Sequence, residues 1–529
     1  MDSTMQEYQL TIAAILRHGR TIYGDSEVVA IEHATRTATR FATIASRAEQ
    51  LAAALHRLGV RPGDRVATLG FNSRAHLEAY LAVPAMGAVL HTANPRLFPE
   101  ELLYTLAHAG ARVILVDADL AATLAPLLPA LPDVERVIAT GDEYEALLAA
   151  EVLRFDWPEL DERSAALVCY TSGTTGEPKG VVYSHRSVYL HSLAITSAAA
   201  CGLSERDRVL PVVPMFHANG WGLPYAAWLV GADLILPGRT VTAPALCALI
   251  AAERATFSAA VPTVWSDVLR YSEQHPCDLS SLRMILCGGS ALPRALFEQF
   301  EARHGVPIIQ AWGMTETGPL AAMAFPPKHA GGATPHDWRA RTGRILPGVE
   351  ARLVGDDGAL PWDGAAVGEI QVRGPWVTAR YHRDAMPEKF DAGWLRTGDI
   401  GAIHGNGFLQ ITDRAKDVIK SGGEWISSVE LESALMAHPE VVEASVIGVP
   451  DARWQERPLA CVVRRAGSQV SGDELRAFLA TRVARWWLPE RWSFVSEIPK
   501  TSVGKFDKKQ LRALQAAGAL QVIGGELCP

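Results

Sequence analysis

The sequence predicts a two-domain α/β protein, with a large N-terminal domain of largely parallel sheets and helices and a small α+β domain at the C-terminus. Three observations support this fold class. The chain has 529 residues, which is too many for one compact domain. Short apolar runs alternate with helical patterns over about half of the chain. Hydrophobic residues make up 48% and charged residues 20%, as in ordinary globular proteins.

The alternation runs from about residue 65 to residue 311. Four apolar runs are each followed by a segment with helical spacing: RVATLGF before RAHLEAYLAVPAMGA, ARVILVDA before LAATLAPLLPAL, RVLPVVP before WGLPYAAWLVGA, and LRMILCGG before PRALFEQFEARHG. Parallel strands need crossover connections, which helices usually supply. This order therefore predicts βαβ units and largely parallel sheets.

The pattern changes twice toward the C-terminus. Between about residues 341 and 413, strand-like runs are separated by Gly/Asp turns, which predicts a small β subdomain of the large domain. After residue 413 a new α+β pattern begins. There, Ser427 with Glu430 and Ser471 with Glu474 have the spacing of helix capping boxes. We therefore expect domains at 1–413 and 414–529.

Composition excludes several classes of protein. The net charge is −8 and no block of like charges occurs, so we expect no nucleic-acid partner. The seven cysteines are scattered without a CxxC pair, as in a cytoplasmic protein with reduced thiols. The longest apolar stretch is interrupted by Gly231 and Asp233 and is too short for a transmembrane segment. We expect a cytoplasmic location.

A loop rich in glycine and hydroxyl residues follows one apolar run, at residues 171–180, and has the sequence TSGTTGEPKG. Glycine lets backbone N–H groups approach a phosphate, and hydroxyls together with Lys179 add donors. The loop is not a Walker A motif, because no Gly-Lys-Ser/Thr ending occurs. By itself it is compatible with a phosphate-binding loop or with a mobile surface loop.

Two further segments carry candidate ligand groups. The segment QAWGMTETGP, residues 310–319, follows a predicted strand, and ligands gather at the carboxyl ends of parallel strands. Thr315 can hold a phosphate oxygen, Glu316 can hold Mg²⁺, and Trp312 can cover a flat base. Farther along, Asp399 in GWLRTGDI can bind vicinal ribose hydroxyls. Each segment alone is also compatible with an ordinary turn.

The last two segments belong to the C-terminal region. The first, DRAKDVIKSGGEW, covers residues 413–425 and lies at the change of pattern between the domains. The second is PKTSVGK, which ends at Lys505. Most lysines are solvated at the surface, and this is the alternative interpretation of Lys505.

The five segments, in this order and spacing, resemble the adenylate-forming superfamily, which includes acyl-CoA synthetases, peptide-synthetase adenylation domains and firefly luciferase. The resemblance covers essentially the whole chain. The runs VVPMFHANGWGLPY, HTANPRL and KSGGEWISSVELE are most similar to long- and medium-chain fatty-acid–CoA ligases, and bacterial methylmercaptopropionate ligases share much of this pattern. The resemblance implies a large N-terminal domain with two parallel-rich sheets and a small mobile C-terminal domain, with a hinge at Asp413. It also implies ATP, Mg²⁺ and coenzyme A as ligands.

The resemblance also implies roles for individual residues. Lys505 bridges the substrate carboxylate and the α-phosphate, and Thr171 and Glu316 hold Mg²⁺; together with His217 these form the catalytic set. Contacts with ATP and CoA are implied for Thr171, Ser172, Gly173, Thr174, Thr175, Lys179, Gly289, Gln310, Ala311, Trp312, Thr315, Asp399, Arg414, Lys416, Lys420, Gly422, Gly423 and Trp425.

One position departs from the family pattern. The family usually has Gly-Tyr where this chain has Ala311-Trp312, so a tyrosine hydroxyl contact is lost while an aromatic face is kept.

The acyl pocket is implied to include His217, Ala218, Trp221, Val261, Trp265 and Gly289. Trp221 is expected to gate the passage from the acyl tunnel to the ATP site, since Gly220 and Gly222 leave its indole room to move; simple core packing is the alternative. Amino-acid adenylation domains carry an Asp in this region to hold the substrate amine. Here Ala218 and Asn219 follow the aromatic pair, which favours an unsubstituted carboxylic acid.

The leading hypothesis is an ATP-dependent fatty-acid–CoA ligase that forms acyl-AMP and transfers the acyl group to CoA, releasing AMP and pyrophosphate. The alternatives are a methylmercaptopropionyl- or short-to-medium-chain ligase, a carrier-loading acyl-AMP ligase, and an inactive nucleotide-binding scaffold. The partners are therefore a carboxylic acid, ATP and CoA. Fatty-acid ligases of this type are often homodimers, which makes a homodimer a candidate assembly.

Overall fold

The computed structural model describes residues 1, 3–151, 154–171, 177–329, 331–421, 424–501 and 504–524. In chain order, the strands of this part are β1 (Glu27–Glu32), β2 (Thr35–Arg40), β3 (Arg65–Leu69), β4 (Val89–Ala93), β5 (Ala111–Val116), β6 (Arg136–Ala139), β7 (Ala165–Tyr170), β8 (Gly180–Ser184), β9 (Arg208–Pro211), β10 (Asp233–Leu236), β11 (Phe257–Ala260), β12 (Met284–Gly288), β13 (Ile308–Gly313), β14 (Leu320–Met323), β15 (Gly343–Ile345), β16 (Glu350–Gly355), β17 (Gly358–Ala359), β18 (Gly368–Arg373), β19 (Phe390–Asp391), β20 (Trp394–Ile403), β21 (Phe408–Arg414), β22 (Ile419–Ser421), β23 (Glu424–Ile426), β24 (Val441–Asp451), β25 (Gln455–Arg464), β26 (Arg491–Phe494) and β27 (Val522–Ile523).

The α-helices are α1 (Ile12–Ile22), α2 (Phe41–Arg57), α3 (Arg74–Ala85), α4 (Pro99–Ala109), α5 (Ala121–Leu124), α6 (Asp142–Ala149), α7 (His185–Thr196), α8 (Leu223–Val230), α9 (Ala243–Glu253), α10 (Pro262–Gln274), α11 (Arg294–His304), α12 (Pro335–Arg339), α13 (Ser428–Met436), α14 (Gly472–Leu479) and α15 (Lys508–Ala516). Short 3₁₀ turns lie at Ala118–Leu120, Ala125–Ala130, Ala218–Gly222, Thr315–Thr317, Pro387–Lys389 and Arg485–Trp487. None of the helices in the described ranges is both long enough and apolar enough to cross a bilayer.

A six-stranded sheet has the order β6-β5-β3-β4-β7-β8. Its first five strands are parallel, and β8 turns back antiparallel along β7. The predicted phosphate loop therefore joins the two strands of a hairpin at the sheet edge. One predicted helix is much shorter than its pattern: α5 covers only Ala121–Leu124, because Pro126 and Pro129 lack the N–H that a regular helix needs.

The second sheet is larger and mixed, with the order β17-β16-β18-β20-β21-β15-β14-β13-β12-β11-β9-β10-β1-β2 and β19 beside β20. Pairing is parallel from β1 through β10, β9, β11 and β12 to β13, and becomes antiparallel at β14. The change occurs there because only a tight turn of six residues links β13 to β14. The predicted β subdomain is therefore a continuation of this sheet.

The C-terminal part forms a sheet of β22 to β27, covered by α13, α14 and α15. Its strands and helices confirm the α+β prediction. The Ser471–Glu474 pair makes both bonds of a capping box. At α13, the Ser427 hydroxyl accepts the Glu430 N–H at 3.1 Å and donates to the Thr412 carbonyl at 2.6 Å. The chain passes from the large sheet to the small one between β21 and β22, and the expected boundary at residues 413 and 414 falls on the last two residues of β21.

Candidate functional site

A cavity opens at the carboxyl end of β12 and β13, with an empty volume of about 1160 Å³ counting the part open to solvent. Side chains from both the large sheet and the C-terminal part line it. The predicted site residues in its lining are Thr171, Lys179, His217, Ala218, Trp221, Gly289, Ala311, Trp312, Thr315, Glu316, Arg414 and Lys505. Residues separated by more than 300 positions in the sequence thus share one cavity.

At one end of the cavity, Glu316 lies in the 3₁₀ turn that follows β13. Its carboxylate accepts a hydrogen bond from the Tyr381 hydroxyl at 2.8 Å, and the ammonium of Lys179 lies 5.6 Å from the centre of the Tyr381 ring. The neighbouring Thr315 carbonyl accepts the Tyr183 hydroxyl at 2.6 Å. The Thr171 N–H donates to the Lys179 carbonyl at 2.9 Å, and the Thr171 hydroxyl accepts the Lys179 N–H at 3.2 Å. A carboxylate, an ammonium and hydroxyls therefore converge here.

This end of the cavity is compatible with Mg²⁺ bound together with phosphates. Mg²⁺ is usually held by one or two carboxylates plus substrate phosphates. Glu316 offers a carboxylate and Thr171 a hydroxyl oxygen in the lining of the cavity. The described residues contain no cluster of three or more His, Cys, Asp or Glu side chains that could hold a metal ion without a further ligand. The donor set thus fits an ion that arrives with a nucleotide.

Trp312, Asp399 and Arg414 form a second part of the wall. The indole N–H of Trp312 donates to the Asp399 carboxylate at 2.9 Å, and the Arg414 guanidinium lies 3.3 Å from the other carboxylate oxygen. Asp399 is only 3% exposed. The tryptophan that replaces the family tyrosine thus supplies a donor of its own, and the buried carboxylate is held in one orientation.

Lys505 enters the cavity from the C-terminal part. A Cβ placed on Gly289, whose φ is +87°, would come within 3.0 Å of Lys505 Cε, so glycine is required at that close approach. The Thr263 hydroxyl donates to the carbonyl of Gly504 at 3.2 Å, which fastens the loop to the large domain. Burial, and then Arg414, lower the pKa of the Lys505 ammonium to about 8, although Asp399 and Glu316 oppose this.

His217 and Trp221 form the apolar side of the cavity. Burial, and then Lys505, lower the pKa of His217 to about 3, so its imidazole is neutral near pH 7. Trp221 is 9% exposed and lies in a left-handed turn with φ of 55°, and its ring passes 3.5 Å from the Cβ position of Gly288. A Cβ on Gly222 would be 2.6 Å from His191. The flanking glycines thus satisfy left-handed dihedrals and, at Gly222, close packing against His191, and the room expected for the Trp221 indole to move stays a prediction.

Several predicted residues lie beside the cavity or away from it. Gln310 accepts the N–H of Leu292 at 2.8 Å and so supports the turn that carries Gly289. Val261 lies 3.2 Å from the Cβ position of Gly289. Trp265 is fully buried in a separate hydrophobic cluster, edge to face with Phe300, so its prediction as a lining residue is corrected to a core role. Hydrophobic runs do not reveal which face of a helix meets a cavity.

The remaining predicted residues belong to the interdomain segment or lie outside the described ranges. Lys420 pairs with Trp425 across the β22–β23 hairpin, and Trp425 is 47% exposed. The backbone carbonyl of Lys416 is 3.5 Å from Arg512. None of these three lines the cavity within the described part of the chain. Ser172, Gly173, Thr174, Thr175, Gly422 and Gly423 lie outside the described residues.

Sequence reasoning missed Tyr381. This tyrosine is 5% exposed, touches both Glu316 and Lys179, and lines the cavity. It follows β18 in a long loop without regular periodicity, so no spacing in the sequence links it to the carboxylate 65 positions earlier. The same loop also contains Trp376 and Val377, so the aromatic ring of Tyr381 was no distinctive signal.

The comparisons with known protein families agree with this geometry. Residues 20–382 match the family model of the AMP-binding enzyme, and residues 430–505 match the AMP-binding enzyme C-terminal domain. The chain is 45% identical to a long-chain-fatty-acid–CoA ligase of Thermus thermophilus, with 96% of each chain covered. It is 42% identical to a 3-methylmercaptopropionyl-CoA ligase of Ruegeria pomeroyi, and 40% identical to a medium-chain-fatty-acid–CoA ligase of Ectopseudomonas oleovorans. The match to the Ruegeria ligase covers 96% of this chain and 98% of the relative, and the match to the Ectopseudomonas ligase covers 96% of each.

Solved structures show the same architecture. The anthranilate CoA ligase AuaEII in complex with anthranoyl-AMP has a TM-score of 0.88 at 27% identity, with 98% of this chain and all of that chain covered. MatB of Rhodopseudomonas palustris has a TM-score of 0.82 in its ATP-bound form at 27% identity, covering 96% and 99%, and 0.76 in its apo form at 26% identity, with the same coverage. The predicted fold and the resemblance are confirmed, and the chain belongs to the AMP-binding enzymes of the adenylate-forming superfamily.

Proposed function

We propose that the chain is an ATP-dependent acyl-CoA ligase that converts an aliphatic carboxylic acid to acyl-AMP and then to acyl-CoA, releasing pyrophosphate and AMP. The observation that carries this proposal is the meeting of Lys505 from the small domain with Glu316 from the large domain in one cavity. The matched relatives named above act on fatty or methylmercaptopropionic acids.

The first half-reaction joins two anions. The carboxylate oxygen attacks the α-phosphorus of ATP, the bond to the β-phosphate oxygen breaks, and pyrophosphate leaves. Lys505 is assigned to neutralise the carboxylate and the α-phosphate as they approach. Glu316 and Thr171 would hold Mg²⁺, which offsets phosphate charge. Lys179, next to Tyr381, is assigned to the pyrophosphate end, with the 172–175 loop.

The contacts with the nucleotide are assigned to residues of β13, of the turn that follows it, and of β20. Ala311 and Trp312 offer a flat apolar surface for adenine, and Thr315 a hydroxyl for a phosphate. Asp399 is assigned to the ribose, because its carboxylate is already held by Trp312 and Arg414. Gln310 acts indirectly, since its amide oxygen holds the Leu292 N–H.

The second half-reaction requires another surface of the small domain. The CoA thiolate attacks the acyl carbon of acyl-AMP, and AMP leaves. We assign Gly422 and Gly423 to the pantetheine path and Lys416, Lys420 and Trp425 to its flanks. In support, neither Lys420 nor Trp425 lines the cavity among the described residues, whereas Lys505 does. The two segments would therefore take turns, with Asp413 as the hinge, and the boundary between the domains would follow it.

The acid pocket is assigned to His217, Ala218, Trp221, Val261 and Gly289. A neutral imidazole beside an ammonium suits a carboxylate head group, and Trp221 with Ala218 presents an apolar surface to the chain of the acid. No acidic side chain among the described lining residues near Trp221 is available for a substrate amine. This lining favours an aliphatic acid without an amino group.

A methylmercaptopropionyl or medium-chain specificity is the second candidate, favoured by the relatives with 42% and 40% identity. One experiment tests both specificities. AMP formation is measured with CoA and each acid from acetate to palmitate, with methylmercaptopropionate in the same series. A fatty-acid ligase gives kcat/KM that rises with chain length. A maximum at methylmercaptopropionate supports the second candidate, and the absence of AMP with every acid contradicts both. Whether the enzyme is a homodimer stays a prediction for sedimentation analysis.

A further inference from the structure

A buried ionic cluster lies at the junction of the two domains, outside the cavity. Its members are Asp413 at the end of β21, Ser428 and Glu432 on α13, and Lys508 at the start of α15. Asp413 is 2% exposed, Ser428 is fully buried, and the side chains of Glu432 and Lys508 are 10% and 13% exposed. Charges are kept in such places only when they are paired, and the mechanism above uses none of the C-terminal three.

The cluster is a continuous chain of hydrogen bonds. The Lys508 ammonium donates to the Ser428 hydroxyl at 2.5 Å and to the Glu432 carboxylate at 2.8 Å. The Ser428 hydroxyl in turn donates to Asp413 Oδ2 at 2.5 Å, and the Ser428 N–H donates to the same oxygen at 2.7 Å. The first turn of α13 thus binds Asp413, the proposed hinge residue, through Ser428. Lys508 in turn binds the Ser428 hydroxyl.

Glu432 anchors the other end of the chain inside the small domain. Its carboxylate accepts the Val446 N–H of β24 at 2.7 Å and the Ser445 hydroxyl at 3.2 Å. Burial disfavours a charged ammonium, but Glu432 and Asp413 more than offset this, so the pKa of Lys508 is raised. Lys508 therefore stays charged and links a fixed point of the small domain to the hinge.

Lys508 is also joined to the loop that carries Lys505. Only two residues separate Lys505 from Lys508, and two backbone hydrogen bonds hold the segment that carries Lys505. The Thr501 N–H donates to the Lys505 carbonyl at 2.7 Å, and the Asp507 N–H donates to the Pro499 carbonyl at 2.8 Å. A shift of Lys508 relative to Asp413 therefore moves Lys505 with it.

We propose that Lys508, acting through Ser428 on Asp413, is a positioning residue that latches the hinge in the arrangement where Lys505 reaches the cavity. The proposal rests on the proposed function, because it assigns the latch to the adenylation half-reaction. Buried hydrogen bonds to charged groups are about twice as strong as neutral ones. Under this proposal, the hydrogen bonds of the cluster form in only one of the two domain arrangements. A mutation that removes them therefore lowers the population of that arrangement by the corresponding factor.

The test is Ser428→Ala, with Ser445→Ala as the matched control. Both changes remove a fully buried hydroxyl that contacts the same cluster, but only Ser428 links Lys508 to Asp413. Acyl-AMP formation from ATP and the acid, and consumption of supplied acyl-AMP by CoA, are measured as separate single-turnover rates. For Ser428→Ala we expect the first rate to fall about tenfold relative to the second. For Ser445→Ala we expect a ratio within about twofold of the unmodified chain.

Three results overturn the latch. The first is an unchanged ratio in folded Ser428→Ala, and the second is an equal change of the ratio in Ser445→Ala. The third is a fall of both rates together in Ser428→Ala, which indicates a role in stability alone. If Ser428→Ala does not fold, Ser428→Cys keeps the volume but has only a weak donor, and the same split is expected. If the unmodified chain forms no acyl-AMP from any acid, the proposed function fails; if it does and the ratio is unmoved, only the latch fails.

Discussion

Lys505 shows at the residue scale how placement changes chemistry. As a motif residue it is one lysine in a polar loop, yet in the fold it lies against Gly289 among Arg414, Asp399 and Glu316. Burial and the guanidinium of Arg414 lower its pKa to about 8, so it loses its charge at a lower pH than a surface lysine does. The role assigned to it depends on that charge.

The pH dependence of adenylation follows from this shift. A lysine with a lowered pKa is protonated below about pH 8 and loses its charge as the pH rises through that value, so acyl-AMP formation should decline above about pH 8. Lys505→Arg keeps a charge at all these values, and its residual rate should stay flat to higher pH. Initial rates of pyrophosphate release from pH 6 to pH 10 measure this. An identical decline in both proteins would assign it to another group.

Tyr381 gives a second prediction at this scale. Tyr381→Phe removes only the hydroxyl bound to Glu316, which leaves a carboxylate oxygen without its donor. We expect the Mg²⁺ concentration for half-maximal adenylation to change by about tenfold, since a hydrogen bond to a charged group is affected. Tyr183→Phe is the matched control, because its hydroxyl binds the neutral Thr315 carbonyl. Equal Mg²⁺ dependence in the two variants contradicts a role for Tyr381 at Glu316.

At the scale of elements, the turn Ala218–Gly222 decides the shape of the acid side of the cavity. Ala218, Asn219 and Trp221 all have positive φ, which residues other than glycine rarely adopt. The turn delivers Trp221 to the cavity and then starts α8 directly. The position of the tryptophan is thus set by an unusual backbone conformation.

The gate predicts a specific change in chain-length preference. Each buried CH₂ contributes about 0.8 kcal/mol, or about fourfold in kcat/KM per carbon until the pocket is full. Trp221→Ala should flatten this slope and admit bulkier acids. Trp265→Ala is the control, because Trp265 is fully buried in the core and should cost about 3–5 kcal/mol of stability while lowering all lengths alike. Rates with butyrate, octanoate and palmitate, with melting curves, separate the two, and an unchanged profile in stable Trp221→Ala excludes the gate.

At the scale of the whole molecule, the orientation of the two domains decides which segment reaches the cavity. Here the Lys505 loop does, and the fold matches MatB better in its ATP-bound form than in its apo form. Among the described residues of the β22–β23 hairpin, Lys420 and Trp425 do not line the cavity, and Trp425 is exposed. A single active site would therefore serve two reactions in turn.

This arrangement predicts opposite biases for two lysines of the small domain. Lys505→Ala should lower acyl-AMP formation by about 100-fold or more and spare the reaction of supplied acyl-AMP with CoA, because only the first step needs its charge. Lys420→Ala should impair the CoA step by about tenfold and spare adenylation. Separate assays of the two half-reactions provide the measurement. If either variant slows both steps equally, the alternation of the two segments is wrong.

The sequence by itself determined the fold class and the family, and it named many of the residues that line the cavity. Periodicity reports which local segments become strands and helices, and short motifs carry their own ligand groups, so β12, β13 and the Thr315–Glu316 turn were predictable. Tyr381, the Trp312–Asp399 bond and the Asp413–Ser428–Lys508 cluster were not, because each joins residues far apart in the chain. The core position of Trp265 and the continuity of the β subdomain with the large sheet likewise depend on packing. Local preferences act through neighbouring residues, whereas contacts between distant side chains exist only once the chain has been brought together in three dimensions.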